Sequence, residues 1–320
     1  MTTVECAESS PVRTDLSFLW LEITAKCNLA CAHCYAESGP EADLYGSMAY
    51  DDWTRVIDEA AEVGCGSVQF IGGEPTLHPR LPDLIGHARR RGHELIEVFT
   101  NASRLDKSLL GCFQRHRVRV ATSFYSDDPA VHDAITERPG SWQRTVTGIE
   151  NVLAAGLPLR VGVTETTHNP GHAQRAVTFL KTLGVDRIKV DRERGVGRGG
   201  LVHLDCEGER YEELCGECWK GKLCVTSSGE VFPCVFSRKT RLGDIRSGLS
   251  TLLLTATLAG FREKVRALSA NEAEDPQCNP LATCNPDTCN PNDSPQDLDC
   301  NPNGSNCNPC NPCPPNGESG

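Results

Sequence analysis

Two hydrophobic rhythms alternate along residues 16–190. Short apolar runs rich in branched and aromatic side chains read as buried strands. Segments with apolar positions three and four apart read as helices packed on them. LSFLWLEIT (16–24) predicts a first strand, and MAYDDWTRVIDEAAEVG (48–64) a helix with Val56, Ile57, Ala60 and Val63 on one face. SVQFIGG (67–73) predicts a strand ending in a glycine turn, and LPDLIGHARRRG (81–92) a helix with a glycine stop. ELIEVFTN (94–101) is a third strand, SRLDKSLLGCFQRH (103–116) a helix and RVRVATSFYS (117–126) a fourth strand. SWQRTVTGIENVLAAG (141–156), LPLRVGVTET (157–166), HAQRAVTFLKTLG (172–184) and DRIKV (186–190) continue as helix, strand, helix and strand.

Six strands alternating with five helices imply an α/β fold with a parallel sheet. Their number suits a partial, TIM-like (β/α)6 barrel, and in such sheets the chemistry sits at the carboxyl ends of the strands. The cysteines after strand one, GGEP, TN and SFYS all follow strands directly, so they should face one mouth. The glycine-rich stretch GVGRGG (195–200) then reads as a flexible boundary. Beyond it lies a small Cys-rich region with Cys206, Cys215, Cys218, Cys224 and Cys234. KLCVTSSGEVFPCVF (222–236) predicts a hairpin, and LSTLLLTATLAGFREKV (249–265) one helix. From Cys278 onward Cys-Asn-Pro occurs six times, with no aromatic residue, Lys or Arg. Such a composition cannot bury a core and predicts a disordered tail. The expected organisation is an N-terminal segment (1–15), a barrel (16–194), a small Cys-rich domain (195–270) and the tail (271–320).

Charge and cysteine content narrow the function. A net charge of −11 argues against nucleic acid as a partner. No apolar run is long enough to span a bilayer, so no membrane is expected. MTTVECAESSPVRTD lacks the basic-then-apolar layout of a signal peptide, and a cytoplasmic location is expected. In that reducing setting 18 cysteines argue for metal ligation or redox chemistry, not structural disulfides. The isolated Cys6, Cys65 and Cys112 suggest no role beyond burial.

TAKCNLACAHCYAE (24–37) holds Cys27, Cys31 and Cys34 within eight residues. Thiolates are soft ligands for iron–sulfur clusters or zinc. A 4Fe–4S cube bound by three cysteines keeps one iron open. The Cys27-x3-Cys31-x2-Cys34 spacing after a first strand resembles the radical S-adenosylmethionine (SAM) superfamily. There the open iron binds the amino and carboxylate groups of SAM. The reduced cluster cleaves SAM to a 5′-deoxyadenosyl radical, which abstracts hydrogen from substrate. Gly72-Gly73-Glu74-Pro75 looks like the superfamily's GGEP motif, which meets the SAM amino group. The resemblance further implies SAM contacts from Asn101 after Thr100, from Ser123, from Glu165 or Thr164, and from Val190 in the sixth-strand segment. Tyr35 is expected to shield the cluster, and His33 to pack beside it without ligating.

Cys215-Gly-Glu-Cys218-x5-Cys224-x9-Cys234, with GEVFPC and LGDI, resembles the start of a SPASM or twitch domain. These extensions carry one or more auxiliary 4Fe–4S clusters. A zinc site would also use four cysteines. After Cys234 a second SPASM cysteine set, close to C-x2-C-x5-C, is not found cleanly. Tail cysteines such as Cys278 and Cys284 could complete a cluster, or the tail is plain low complexity. The resemblance implies an enzyme acting on a ribosomally made peptide, by crosslinking, epimerisation or oxidation, with an external electron donor such as flavodoxin or ferredoxin. A small-molecule dehydrogenase or epimerase is the alternative, and a non-catalytic metal-binding scaffold the alternative of another class.

Overall fold

The computed structural model describes residues 15–200 and 209–273. In chain order come β1 (Phe18–Glu22), α1 (Tyr50–Glu62), β2 (Ser67–Ile71), α2 (Leu81–Arg90), β3 (Leu95–Phe99) and α3 (Lys107–Arg115). Then follow β4 (Arg119–Phe124), α4 (Pro129–Thr136), α5 (Ser141–Ala154), β5 (Leu159–Glu165), α6 (Ala173–Thr182) and β6 (Arg187–Arg192). The Cys-rich region adds β7 (Lys222–Val225), β8 (Glu230–Phe232), β9 (Gly243–Asp244), α7 (Leu249–Leu253) and α8 (Ala256–Ala273).

All nine strands form one sheet in the order β6-β5-β4-β3-β2-β1-β7-β8-β9. β1 to β6 pair in parallel as a partial (β/α)6 barrel. β7 pairs in parallel with β1, Phe18 opposite Lys222 and Leu21 opposite Val225. The expected hairpin, β7–β8, is therefore a continuation of the barrel sheet.

Strand alternation sorts side chains between two sides. Leu19 and Leu21 of β1, Val68 and Phe70 of β2, and Val161 and Val163 of β5 join the large core under the helices. Phe18 and Trp20 join a second cluster with Cys215, Cys218, Cys224 and Cys234. The inner side also carries polar groups. Arg160 of β5 clasps Glu97 of β3 through Nε (2.9 Å) and an Nη (2.7 Å), and Gln69 of β2 donates to the same carboxylate.

Two elements differ from expectation. α4 lies where no helix was expected; Asp128 caps it by accepting from Ala130 N at 2.8 Å, and Pro129 opens its first turn. The single helix expected over 249–265 is broken. Leu254 leaves the helical ladder at 76% exposure, and Thr255 Oγ1 accepts from Leu258 N (3.3 Å) to start α8. Among the described residues no helix is long and apolar enough to cross a membrane.

Candidate metal and cofactor site

The loop after β1 is fastened on three sides. On one, Gly73 N donates to Thr24 O and Glu74 N to Lys26 O, both at 2.8 Å. A β-carbon at Gly72 would stand 2.3 Å from Thr24 O, and one at Gly73 2.2 Å from Lys26 O. The two glycines thus let the β2 turn lie directly on the chain entering Cys27. On a second side, Ala30 N and Ala32 N donate to Thr136 O (3.1 Å) and Ile135 O (3.0 Å) at the end of α4. On the third, GVGRGG closes over the loop and does not act as an open linker. Arg198 donates through its backbone N to Cys34 O (3.0 Å), through Nε to Cys31 O (2.9 Å) and through an Nη to Ser38 O (2.8 Å). Gly197 has φ +59°, and a β-carbon there would lie 2.3 Å from Tyr35 O.

This loop borders a cavity of about 230 Å3. Cys27, Cys31 and Cys34 line it, with Gly72, Gly73, Asn101 and Ser123. Cys27 Sγ accepts from Leu29 N at 3.4 Å and from Asn101 Nδ2 at 3.8 Å. Burial, then the Glu74 carboxylate, pushes the Cys27 thiol up to about 12. Burial and the nearby Cys34 and Cys27 thiols push Cys31 to about 12 as well. A soft cation in their midst would reverse this preference by drawing out the thiolates.

Other expected residues sit differently. Glu74 is fully buried and already engaged: Oε1 accepts from Thr76 N (3.0 Å), Thr76 Oγ1 (2.6 Å) and Thr100 Oγ1 (2.6 Å), and Oε2 from Asn101 N (2.7 Å). It ties the β2 and β3 turns together, with one lone pair of Oε2 left for a further donor. Pro75 follows it outside the cavity lining. On β5 the inward residues are Gly162 and Thr164, so Glu165 points away from the cavity. On β6 Asp191 lines it, while Val190 packs against the helix-side core. On β5 parity decides, because neighbours face opposite sides; at the end of β6 Asp191 and Arg192 both border the cavity.

The second cysteine group meets the same cavity through Cys215 and Cys234. The ligand atoms of Cys215, Cys218 and Cys234 lie within 4.8 Å of one another, all buried. The Cys215 and Cys218 sulfurs are 3.4 Å apart. Hydrogen bonding with the Cys215 and Cys234 thiols raises Cys218 well above its ordinary value, and burial adds to it. This spacing fits a single tetrahedral ion, with metal–sulfur bonds of about 2.3 Å, or one side of an iron–sulfur cluster. Cys224 is not part of the triad. Burial and the Glu22 carboxylate raise its thiol well above the usual range. Cys6, Cys206 and the tail cysteines, Cys278 and Cys284 included, lie outside the described residues.

Aromatic side chains share the cavity lining with the two groups. Tyr35 packs edge-on against Phe236 at 5.3 Å, with the Arg238 guanidinium 5.4 Å from its ring. Arg238 pairs with Glu22 at the end of β1. His33 packs edge-on against Tyr125 at 5.0 Å. Tyr125, His132, Thr136 and Arg198 escaped sequence reading as individual residues; Asp128-Pro129 is a helix-start signal that could have found the segment holding His132 and Thr136.

The sequence model of the Radical SAM superfamily matches residues 21–174. PqqA peptide cyclase of Streptomyces rochei is 34% identical over 259 residues, 67% of this chain and 68% of that protein. The antilisterial bacteriocin subtilosin biosynthesis protein AlbA of Bacillus subtilis is 25% identical over 255 residues, 70% of this chain. The chain spans only 56% of AlbA's length. Among solved structures, Streptococcus suis SuiB bound to S-adenosylmethionine matches with a TM-score of 0.62 at 16% identity, over 84% of this chain and 77% of that one. That likeness concerns the fold. With its three-cysteine loop at the mouth of a partial barrel and this degree of identity to PqqA peptide cyclase, the chain belongs to the radical SAM superfamily.

Proposed function

We propose that this chain is a radical SAM enzyme that modifies a ribosomally made peptide in the cytoplasm. Cys27, Cys31 and Cys34 would hold a 4Fe–4S cluster, and SAM would complete it. When bound, these supply the radical chemistry of the superfamily, with the electron from an external donor such as flavodoxin or ferredoxin. Gly72, Gly73, Asn101 and Ser123 would bind SAM beside the loop. Cys215, Cys218 and Cys234 would hold an auxiliary cluster. The observation that carries the reading is that both cysteine groups border one cavity. A substrate there would lie between them, screened by Tyr35 and Phe236. The names of the two curated relatives, a peptide cyclase and a bacteriocin biosynthesis protein, favour a peptide over a small molecule.

Anaerobic reconstitution tests this. Iron and sulfide should load, and reductant should release 5′-deoxyadenosine from SAM. Cys27→Ala, Cys31→Ala or Cys34→Ala should abolish that release. Cys218→Ala or Cys234→Ala should leave some release but end peptide modification, read as a mass change. Iron and sulfide remaining in the triple Cys27/Cys31/Cys34 variant would mark the second group as a cluster; zinc without sulfide would overturn that part. Intact SAM and no cluster absorbance in the unaltered protein would defeat the whole reading.

A further inference from the structure

His132 on α4 has one ring nitrogen without a partner. The side chain is 1% exposed. Its ring tilts against Phe124 and Tyr125, with centroids 5.2 Å away in each case. Nδ1 meets Ser141 Oγ at 3.2 Å. Nε2 is buried with no partner, and the residue borders the cavity. Since Nδ1 is turned to Ser141, the ring edge left for the cavity is the one carrying Nε2.

A count of protons assigns that nitrogen's character. The Asp133 carboxylate only accepts. It takes the N–H of Gly140 (2.5 Å), the N–H of Trp142 (2.8 Å) and the Ser141 hydroxyl (2.8 Å). Burial acts to raise its pKa, but these donors bring it below the usual carboxylate range. Ser141 has one hydroxyl proton, and the charged acceptor at the shorter distance takes it. Ser141 Oγ can then only accept, from Nδ1–H and from Thr136 Oγ1 at 2.6 Å, the shortest contact of a hydroxyl that also reaches His132 O (3.1 Å) and Asp133 O (3.2 Å). The proton therefore sits on Nδ1, and Nε2 presents a bare lone pair. Burial lowers the histidine's pKa to about 4, so the ring is neutral near neutral pH.

A buried acceptor without a donor is costly, which points to a donor arriving with a ligand. The position favours the cofactor. α4 ends on the carbonyls that hold Ala30 and Ala32 of the cysteine loop. Tyr125, against which the ring packs, borders the cavity together with Cys31. We infer that His132 Nε2 accepts a hydrogen bond from an N–H or O–H group of SAM. This rests on the proposal that the cavity binds SAM.

The test is calorimetric titration of SAM into the reconstituted full-length protein. His132→Phe keeps the ring stack and removes the acceptor; binding should weaken roughly tenfold. His132→Gln restores a carbonyl acceptor and should stay within about threefold of the unaltered protein. Ser141→Ala frees the tautomer and should fall between them. Iron content and melting temperature identify variants that remain folded and loaded. Unchanged affinity in loaded His132→Phe would overturn the inference, as would His132→Gln binding as weakly as His132→Phe. If His132→Phe fails to load, unchanged affinity in Ser141→Ala overturns it. If the unaltered protein binds no SAM, the reading of the cavity falls first and this inference with it.

Discussion

Burial sets the starting state of the cysteines. Cys27, Cys31 and Cys234 are each pushed up to about 12, the first two by desolvation and like neighbours, the third by bonding to Cys215. A thiol with a raised pKa keeps its proton well above neutrality. Metal must therefore displace protons from both groups, since only the thiolate ligates. The sign follows: affinity rises with pH while the free thiols remain protonated. Cobalt titration of the metal-free protein should show uptake tightening from about pH 7 to about pH 9, with protons released into weak buffer. A flat profile would mean that the thiolates are already present. Cys224 offers an internal control. It is as buried as the triad but faces Glu22, so Cys224→Ser should leave the uptake curve in place.

Within the sheet, β2, β3 and β5 are joined by more than their backbone ladder. Arg160 and Glu97 form a two-pronged ion pair inside the barrel, each about 5% exposed, and Gln69 donates to the same carboxylate. Arg160→Leu would leave Glu97 charged and buried with one amide donor. Breaking a buried pair on one side costs about 3–5 kcal/mol, whereas replacing both members by apolar residues costs less. Chemical denaturation of Arg160→Leu against the Glu97→Met/Arg160→Leu double variant checks this; equal losses would show the pair is not coupled. These charges also show what a linear reading catches. Strand positions were legible because their apolar runs are long, and the cysteine loop because its spacing is tight. Which side each strand residue faces was not, because a parallel strand covered on both sides lacks clean alternation. Glu165 and Val190 both turn on which side they face. α4 spans only eight residues and gives little periodicity, and the α7–α8 break rests on a threonine cap inside a leucine-rich run.

At the scale of the whole molecule, β7 joins the two cysteine groups mechanically. It lies in parallel against β1, and Ser17 N and Phe18 N donate to Gly221 O at 2.7 and 3.1 Å before the pairing begins. Phe18 and Trp20, whose inward faces would line the barrel's side, are covered by the cluster holding Cys218, Cys224 and Phe232. Glu22 and Arg238 add an ion pair across the same seam. A chain ended at Gly200 would keep six parallel strands and the three cysteines after β1. It would lose β7, turning β1 into an open edge with two large aromatic side chains beside it. Unpaired apolar edges associate. We expect the 1–200 fragment to aggregate, to melt without a cooperative transition and to hold little iron, although it keeps every residue of the first cysteine loop. Size-exclusion chromatography, thermal melting and iron analysis of the fragment beside the full chain decide it. A monomeric fragment with a sharp melt and a loaded cluster would make the barrel an independent unit, and the shared sheet a docking contact only.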